Sequence, residues 1–268
     1  MDERIRARRL EVGRANARRR RRRACSLLGV LVLAVSAVAA ARSPLFAIGD
    51  VRVAGVNGQA AGQARAAAGI LPGQNLLWAD LHGARERVRA LAWVREAQIR
   101  RVPPSTVEIA VLPRIPVAVV LAADGAWLVD ADGVVVAGGA RDGLVAVEAP
   151  NSVLPAPGRP SSDAAVANAL SVHTQLPADL RAQVDRYDAS GPRSLRLHLR
   201  LGPASGLSQT GLWVRFGAAE RVPDKARVIR ALLEQAVGQS QLTAGGSSPA
   251  IAEIDVRAPD NPVLLPAA

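Results

Sequence analysis

Cysteine is nearly absent from this 268-residue chain. Cys25 is the single one, at the start of an apolar run, so no disulfide framework forms within the chain and the folded part relies on its core. Lysine is as scarce. Lys225 stands alone and the residue three before it is Val222, which excludes a Ser-x-x-Lys acyl-enzyme. His82, His173 and His198 are isolated from one another, without the Cys or acidic neighbours that metal-ligand spacing requires. There is no Gly-x-Ser-x-Gly elbow, no Walker loop and no Gly-x-Gly-x-x-Gly turn. Asp130 and Asp132 come nearest to a carboxylate pair, but Asp-x-Asp-Gly between two apolar runs reads as a turn. His198 falls on the polar face of an alternating strand and reads as a solvated side chain. Nothing here predicts an enzyme, a metal or a cofactor.

One long apolar run is present, Ala24 to Ala41, 18 residues without charge or proline. As a helix it would be roughly 27 Å long, against a bilayer core of about 30 Å. Six arginines precede it, Arg18, Arg19, Arg20, Arg21, Arg22 and Arg23, and only Arg42 follows closely. That asymmetry reads as a topology signal, with the N-terminus cytoplasmic and the bulk outside. A cleaved signal peptide is the rival, since Ala-Val-Ala at 37–39 resembles a cleavage site. The run is longer and its basic lead broader than such signals use, so the expectation is a single transmembrane helix at 24–41. Residues 1–23 hold +8 of the chain's net +11, so the basicity belongs to this tail. With no aromatic interleaved to stack on bases, the tail reads as a disordered topology signal and not as a nucleic-acid interface.

Beyond Phe46 the pattern alternates. Ile48, Val51 and Val53 predict a strand, Gln59 to Ala68 a helix stopped by Gly69, and Leu81 to Leu91 a second helix. Val94 to Arg101 and Thr106 to Leu112 predict two strands, giving the order β-α-α-β-β. Further strands are expected at 117–121, 127–129, 134–136, 195–201 and 212–216, and a last one at 251–257. Residues 148–162 read as loop. Asp163 caps a helix over 164–176, and another covers 224–237 with Gly238 just past its end.

The run Phe46-x-Ile48…Val53-x-Gly55, Gly73-x-Asn75-Leu76, Trp93-Val94-x-x-Ala97-x-Ile99-x-Arg101-x-Pro103 and Thr106-Val107-x-Ile109 resembles the POTRA domain of the FtsQ/DivIB cell-division proteins. Arg114-Ile-Pro-Val-Ala118, Leu128-Val-Asp130-x-x-Gly133, Gly217, Lys225, Leu232-Leu233 and Ile254-Asp-Val-Arg257 extend the resemblance. One departure is Pro113, where the family usually has an acid. The resemblance implies an α+β protein: a basic tail (1–23), a transmembrane helix (24–41), a POTRA domain (45–114) and a β-rich domain with a mostly antiparallel sheet (115–265). It also implies a bitopic divisome scaffold at the septal cell membrane that binds partners of the FtsB/DivIC and FtsL type, with the septal synthase complex beyond them. Such a scaffold would couple their assembly to septal peptidoglycan synthesis without small-molecule substrate or nucleic acid.

The region that would receive the FtsB/DivIC partner is Asp255 to Leu264, which places Asp255, Arg257, Ala258, Asp260, Val263 and Leu264 among the candidates. Arg193 and Arg196 are candidates to pair with an acidic partner helix. If the strand at 251–257 is a sheet edge, its open backbone groups accept a strand from another chain. Pro259, Pro262 and Pro266 lack the N–H donor that a long ladder requires, so a protected edge with a frayed tail stands beside that reading. A POTRA-bearing envelope transport or chaperone component is the alternative function.

Overall fold

The computed structural model describes residues 25–201, 211–242 and 251–266. The chain divides into two units, one of the residues up to Arg87 with Gln98–Val111, the other of Val88–Ala97 with the residues from Leu112 onward.

The first unit opens with helix α1, residues 25–41. Among the described residues no helix is long and apolar enough to cross a membrane, which overturns the expected transmembrane helix at 24–41. The 17 described residues of α1 span about 25 Å, short of a hydrocarbon core of about 30 Å. The arginines 18–23 and the rest of the basic tail lie outside the described residues.

A short 3-10 turn (Pro44–Phe46) then leads into β1 (Asp50–Ala54), α2 (Gly58–Ala68), α3 (Leu81–Arg89), β2 (Val94–Val102) and β3 (Thr106–Pro113). The predicted β-α-α-β-β order is the observed one. β3 lies between β1 and β2, and runs parallel to β1 with Val51 opposite Val107 and Val53 opposite Ile109. Val107, Ile109 and Val111 are the buried alternate residues of β3, as the period of two demands. Gly69 ends α2 at φ 63°, a left-handed conformation that suits glycine. The last carbonyls of that helix, Ala67 O and Ala68 O, accept from the Arg87 guanidinium at 3.3 and 2.6 Å.

Among the described residues the second unit is built on an open mixed sheet of nine strands. In chain order these are β4 (Pro116–Ala122), β5 (Gly125–Asp130), β6 (Val135–Gly138), β7 (Val145–Ala149), β8 (Val184–Asp188), β9 (Arg196–Arg200), β10 (Gly211–Arg215), β11 (Ile251–Asp255) and β12 (Val263–Pro266). Across the sheet they lie in the order β12-β11-β10-β9-β8-β7-β4-β5-β6. Three neighbouring pairs, β4–β7, β7–β8 and β10–β11, are parallel, so the sheet is mixed. Helices α4 (Ala164–Gln175) and α6 (Val222–Leu242) contribute Val166, Leu170, Ala226 and Ile229 to a core with Tyr187, Leu197, Leu199, Phe216 and Ile254.

Several elements differ from the sequence expectation. β7 and β8 were not foreseen: β7 is short, and in Val184-Asp-Arg-Tyr-Asp188 only Val184 and Tyr187 are buried. The short helix α5 (Ala178–Gln183) was not foreseen either. α6 continues through Gly238 to Leu242; a helix-interior glycine costs about 1 kcal/mol and can be carried. The strand at 251 ends at Asp255, and β12 returns to pair with it.

Candidate partner-binding edge

The alternating leucines of β9 turn one side of the strand into the core and leave Arg196 and His198 on the other side. Register carries that open face across the sheet. Glu148, Asp188, Arg196, Arg215, Asp255 and Val263 follow one another on successive strands. A second row runs through Arg186, His198, Trp213, Glu253 and Leu265. Opposite charges on these two rows pair, Arg186 with Glu148, Arg196 with Asp188 and Arg215 with Glu253. Arg196 lies 2.5 Å from Asp188, and its guanidinium stacks 5.0 Å from the centre of the Trp213 ring. Arg215 meets Glu253 at 2.7 Å, and that carboxylate raises the Arg215 pKa. The other oxygen, Glu253 Oε1, is buried without a hydrogen-bond partner among the described residues.

His198 is not the solvated side chain expected of it. Its Nδ1 lies 2.6 Å from Asp185 Oδ1, its ring packs edge-on against Trp213 at 4.9 Å, and its side chain is 20% exposed. Gly211 leaves the room for that ring, since a Cβ there would approach His198 to 2.3 Å. Asp130 does form the expected turn, accepting from Asp132 N and Val134 N at 3.0 and 2.9 Å, and it also faces Arg114 at 2.6 Å.

Of the residues proposed from sequence, Arg196, Asp255 and Val263 fall on one row. Arg257 folds back on Asp255 at 2.7 Å and holds that carboxyl below its ordinary pKa. Arg193 and Arg257 are both exposed, and Gly217, at φ 75°, leaves room beside them: a Cβ there would lie 3.1 Å from Arg257 Cγ and 3.6 Å from the Arg193 carbonyl oxygen. Ala258 and Asp260 form the β11–β12 turn, and Leu264 pairs with Ile254 on the opposite face from Val263. Val263 and Leu264 are 47% and 44% exposed at the outer strand of the sheet. Three contributors went unnoticed in the sequence. Trp213 and Arg215 share the face of β10 opposite its buried Leu212 and Val214, on the strand that pairs with β9. Arg221 gave no signal, yet it bonds Asp260 in bidentate fashion at 2.6 and 2.9 Å. Among the described residues no cluster of His, Cys, Asp and Glu is placed to hold a metal.

The fold is that of a POTRA-bearing α+β protein whose second sheet ends in a short exposed strand. Residues 46–114 match the POTRA domain of FtsQ type. The Cell division protein FtsQ of Mycolicibacterium smegmatis is 34% identical over 194 residues, covering 72% of this chain and 54% of that protein. The FtsQ of Mycobacteroides abscessus is 33% identical over 214 residues, 78% of this chain and 64% of its own length. That of Mycobacterium tuberculosis is 29% identical over 219 residues, 78% and 63%. The chain belongs to the FtsQ/DivIB family. It spans between about half and two thirds of the length of these relatives.

Proposed function

We propose that the chain acts in bacterial cell division as a non-catalytic adaptor at the septum, binding partners of the FtsB/DivIC and FtsL type through the β12 edge. The relatives' shared name supports the division role. The observation that carries the adaptor reading is the placement of β12: it is the outermost strand, with Val263 and Leu264 exposed. Pro262 and Pro266 flank it without N–H groups, so Val263, Leu264 and Leu265 are its only backbone donors, and alternate ones face outward. A partner therefore adds a short strand here, supported by side-chain contact with Val263 and Leu264 and with the charged rows behind them. The adaptor would use residues 45–114 as one domain and 115–265 as the other, and would link its partners to septal wall synthesis.

The test is capture of an FtsB/DivIC-type partner by the purified full chain. Val263→Asp and Leu264→Asp should each weaken capture at least about tenfold, the order of losing one buried apolar contact, without moving the unfolding midpoint. Unchanged capture by both variants sinks the reading. So does normal septation on depletion of the chain, or a fluorescent fusion spread evenly around the envelope.

A further inference from the structure

The loop between α2 and α3 is bound to the segment that follows α1. Ile48 N donates to Gln74 O at 2.7 Å, Gly73 N to Ile48 O at 2.8 Å and Leu76 N to Phe46 O at 2.7 Å. Asn75 sits at the centre. Its Nδ2 donates to Ala41 O, the last residue of α1, at 2.7 Å, and its Oδ1 accepts from Leu77 N at 2.9 Å. Arg101 closes the far side, donating to Leu76 O and Ala79 O at 2.7 and 2.9 Å. This bonding holds a rigid loop whose large side chains point outward: Leu71 is 63% exposed, Leu77 40%, Trp78 71%, and Leu45 on the facing segment 74%.

Four large apolar side chains gathered around one residue form an unusual surface for a folded domain. Two observations say what covers it. It is continuous through Asn75 with α1, whose leucines and valines from Leu27 to Val38 are exposed by 51% to 72% around the helix. A helix apolar on all sides finds no partner in water. Two exposed cations adjoin the loop, Arg42 next to the Ala41 that Asn75 holds and Arg101 bonded to Leu76 O and Ala79 O, and they complement negative charge. Tryptophan with its indole N–H is suited to the boundary between apolar chains and headgroups.

We infer that the face formed by Leu45, Leu71, Leu77 and Trp78 rests on a lipid surface with anionic headgroups, with Trp78 at the headgroup level. Contact of this kind needs no helix that crosses the bilayer.

The experiment uses the full chain and vesicles of phosphatidylcholine and phosphatidylglycerol with brominated acyl chains, reading tryptophan emission. Trp78 is the most exposed of the four tryptophans, so quenching by bromine should fall about twofold or more in Trp78→Phe. Leu71→Ser and Leu77→Ser should each reduce the quenching of Trp78 with the urea midpoint unchanged. Vesicles of phosphatidylcholine alone should quench less than the anionic ones. Equal quenching of the full chain and Trp78→Phe overturns the inference, because Trp78 then lies away from lipid. Equal quenching on neutral and anionic vesicles overturns the role of the headgroup charge. Protection of Trp78 by a protein partner, with no bromine quenching, overturns the lipid assignment and makes the face a protein-docking one.

Discussion

Arg114 Nη1 lies 2.6 Å from Asp130 Oδ2, with side chains only 17% and 5% exposed. Asp132 stands 4.0 Å from the same guanidinium nitrogen and 2.9 Å from Arg95. Pro113 stands just before the arginine, and the pair is made with the turn of the β5–β6 hairpin. Removing one partner of a buried pair leaves the other charge unmatched. Asp130→Ala should therefore cost about 3–5 kcal/mol in urea unfolding of the second unit. Asp130→Asn, which keeps an acceptor for the turn amides, should cost less. A loss below about 1 kcal/mol for the alanine would show that the pair does not hold the hairpin.

His173 gives stability a pH dependence. Burial, and next the Arg181 charge, lower its pKa to about 4. Its Nδ1 is 3.0 Å from the Tyr187 hydroxyl, whose own pKa burial raises. The unfolded chain takes up the proton near pH 6.5 and the folded one does not. The stabilisation is thus complete above about pH 6.5 and is lost progressively as the pH falls toward 4. Chemical unfolding across that range should show the decline, and His173→Gln should flatten it.

Lys225 is 3% exposed and has burial acting to lower its pKa. Its ammonium donates to Phe216 O and Ala218 O, both at 2.9 Å, and lies 4.8 Å from the centre of the Phe216 ring. Lys225→Ala leaves both carbonyls without this donor and should cost about 2–4 kcal/mol, measured as a lower urea midpoint. Loosening should centre on the turn from β10 into α6.

Arg221 has φ 53°, uncommon for a side chain of its size, and its guanidinium holds both Asp260 and Asp224. The exposed pair with Asp260 adds little to global stability. Its expected effect is local, because it ties the β11–β12 turn to the start of α6. In Asp260→Asn, hydrogen exchange should quicken at Val263, Leu264 and Leu265 and stay unchanged at Leu197 and Ile229. Uniform exchange across all five would show that the turn holds itself.

The first unit was legible because its signals are local. Gly69 marks the end of α2 and alternation in Val107-Glu-Ile-Ala-Val111 sets the inward face of β3; in the second unit the equally local cap of Asp163 on Ala165 N and Val166 N starts α4. β8 was hidden because only two of its residues, Val184 and Tyr187, are buried, and one of its two partner strands, β7, lies far back in the chain. β12 was hidden because Val263-Leu-Leu-Pro266 is too short and proline-flanked to declare itself, and only the β11 edge makes it a strand. Arg196 was identified as a candidate from its place on an alternating strand, but its partners Asp188 and Trp213 come from neighbouring strands.

The β-α-α-β-β order of the first unit, the family, and the lack of a recognisable catalytic motif followed from the amino-acid sequence itself, since periodicity, caps and turn residues act over a few positions. Tertiary structure alone decided which strand forms the edge, which charges meet, and that Asn75 joins the end of α1 to the loop bearing Trp78. Those relations depend on backbone pairing and side-chain reach between residues distant in the chain, which no local pattern encodes.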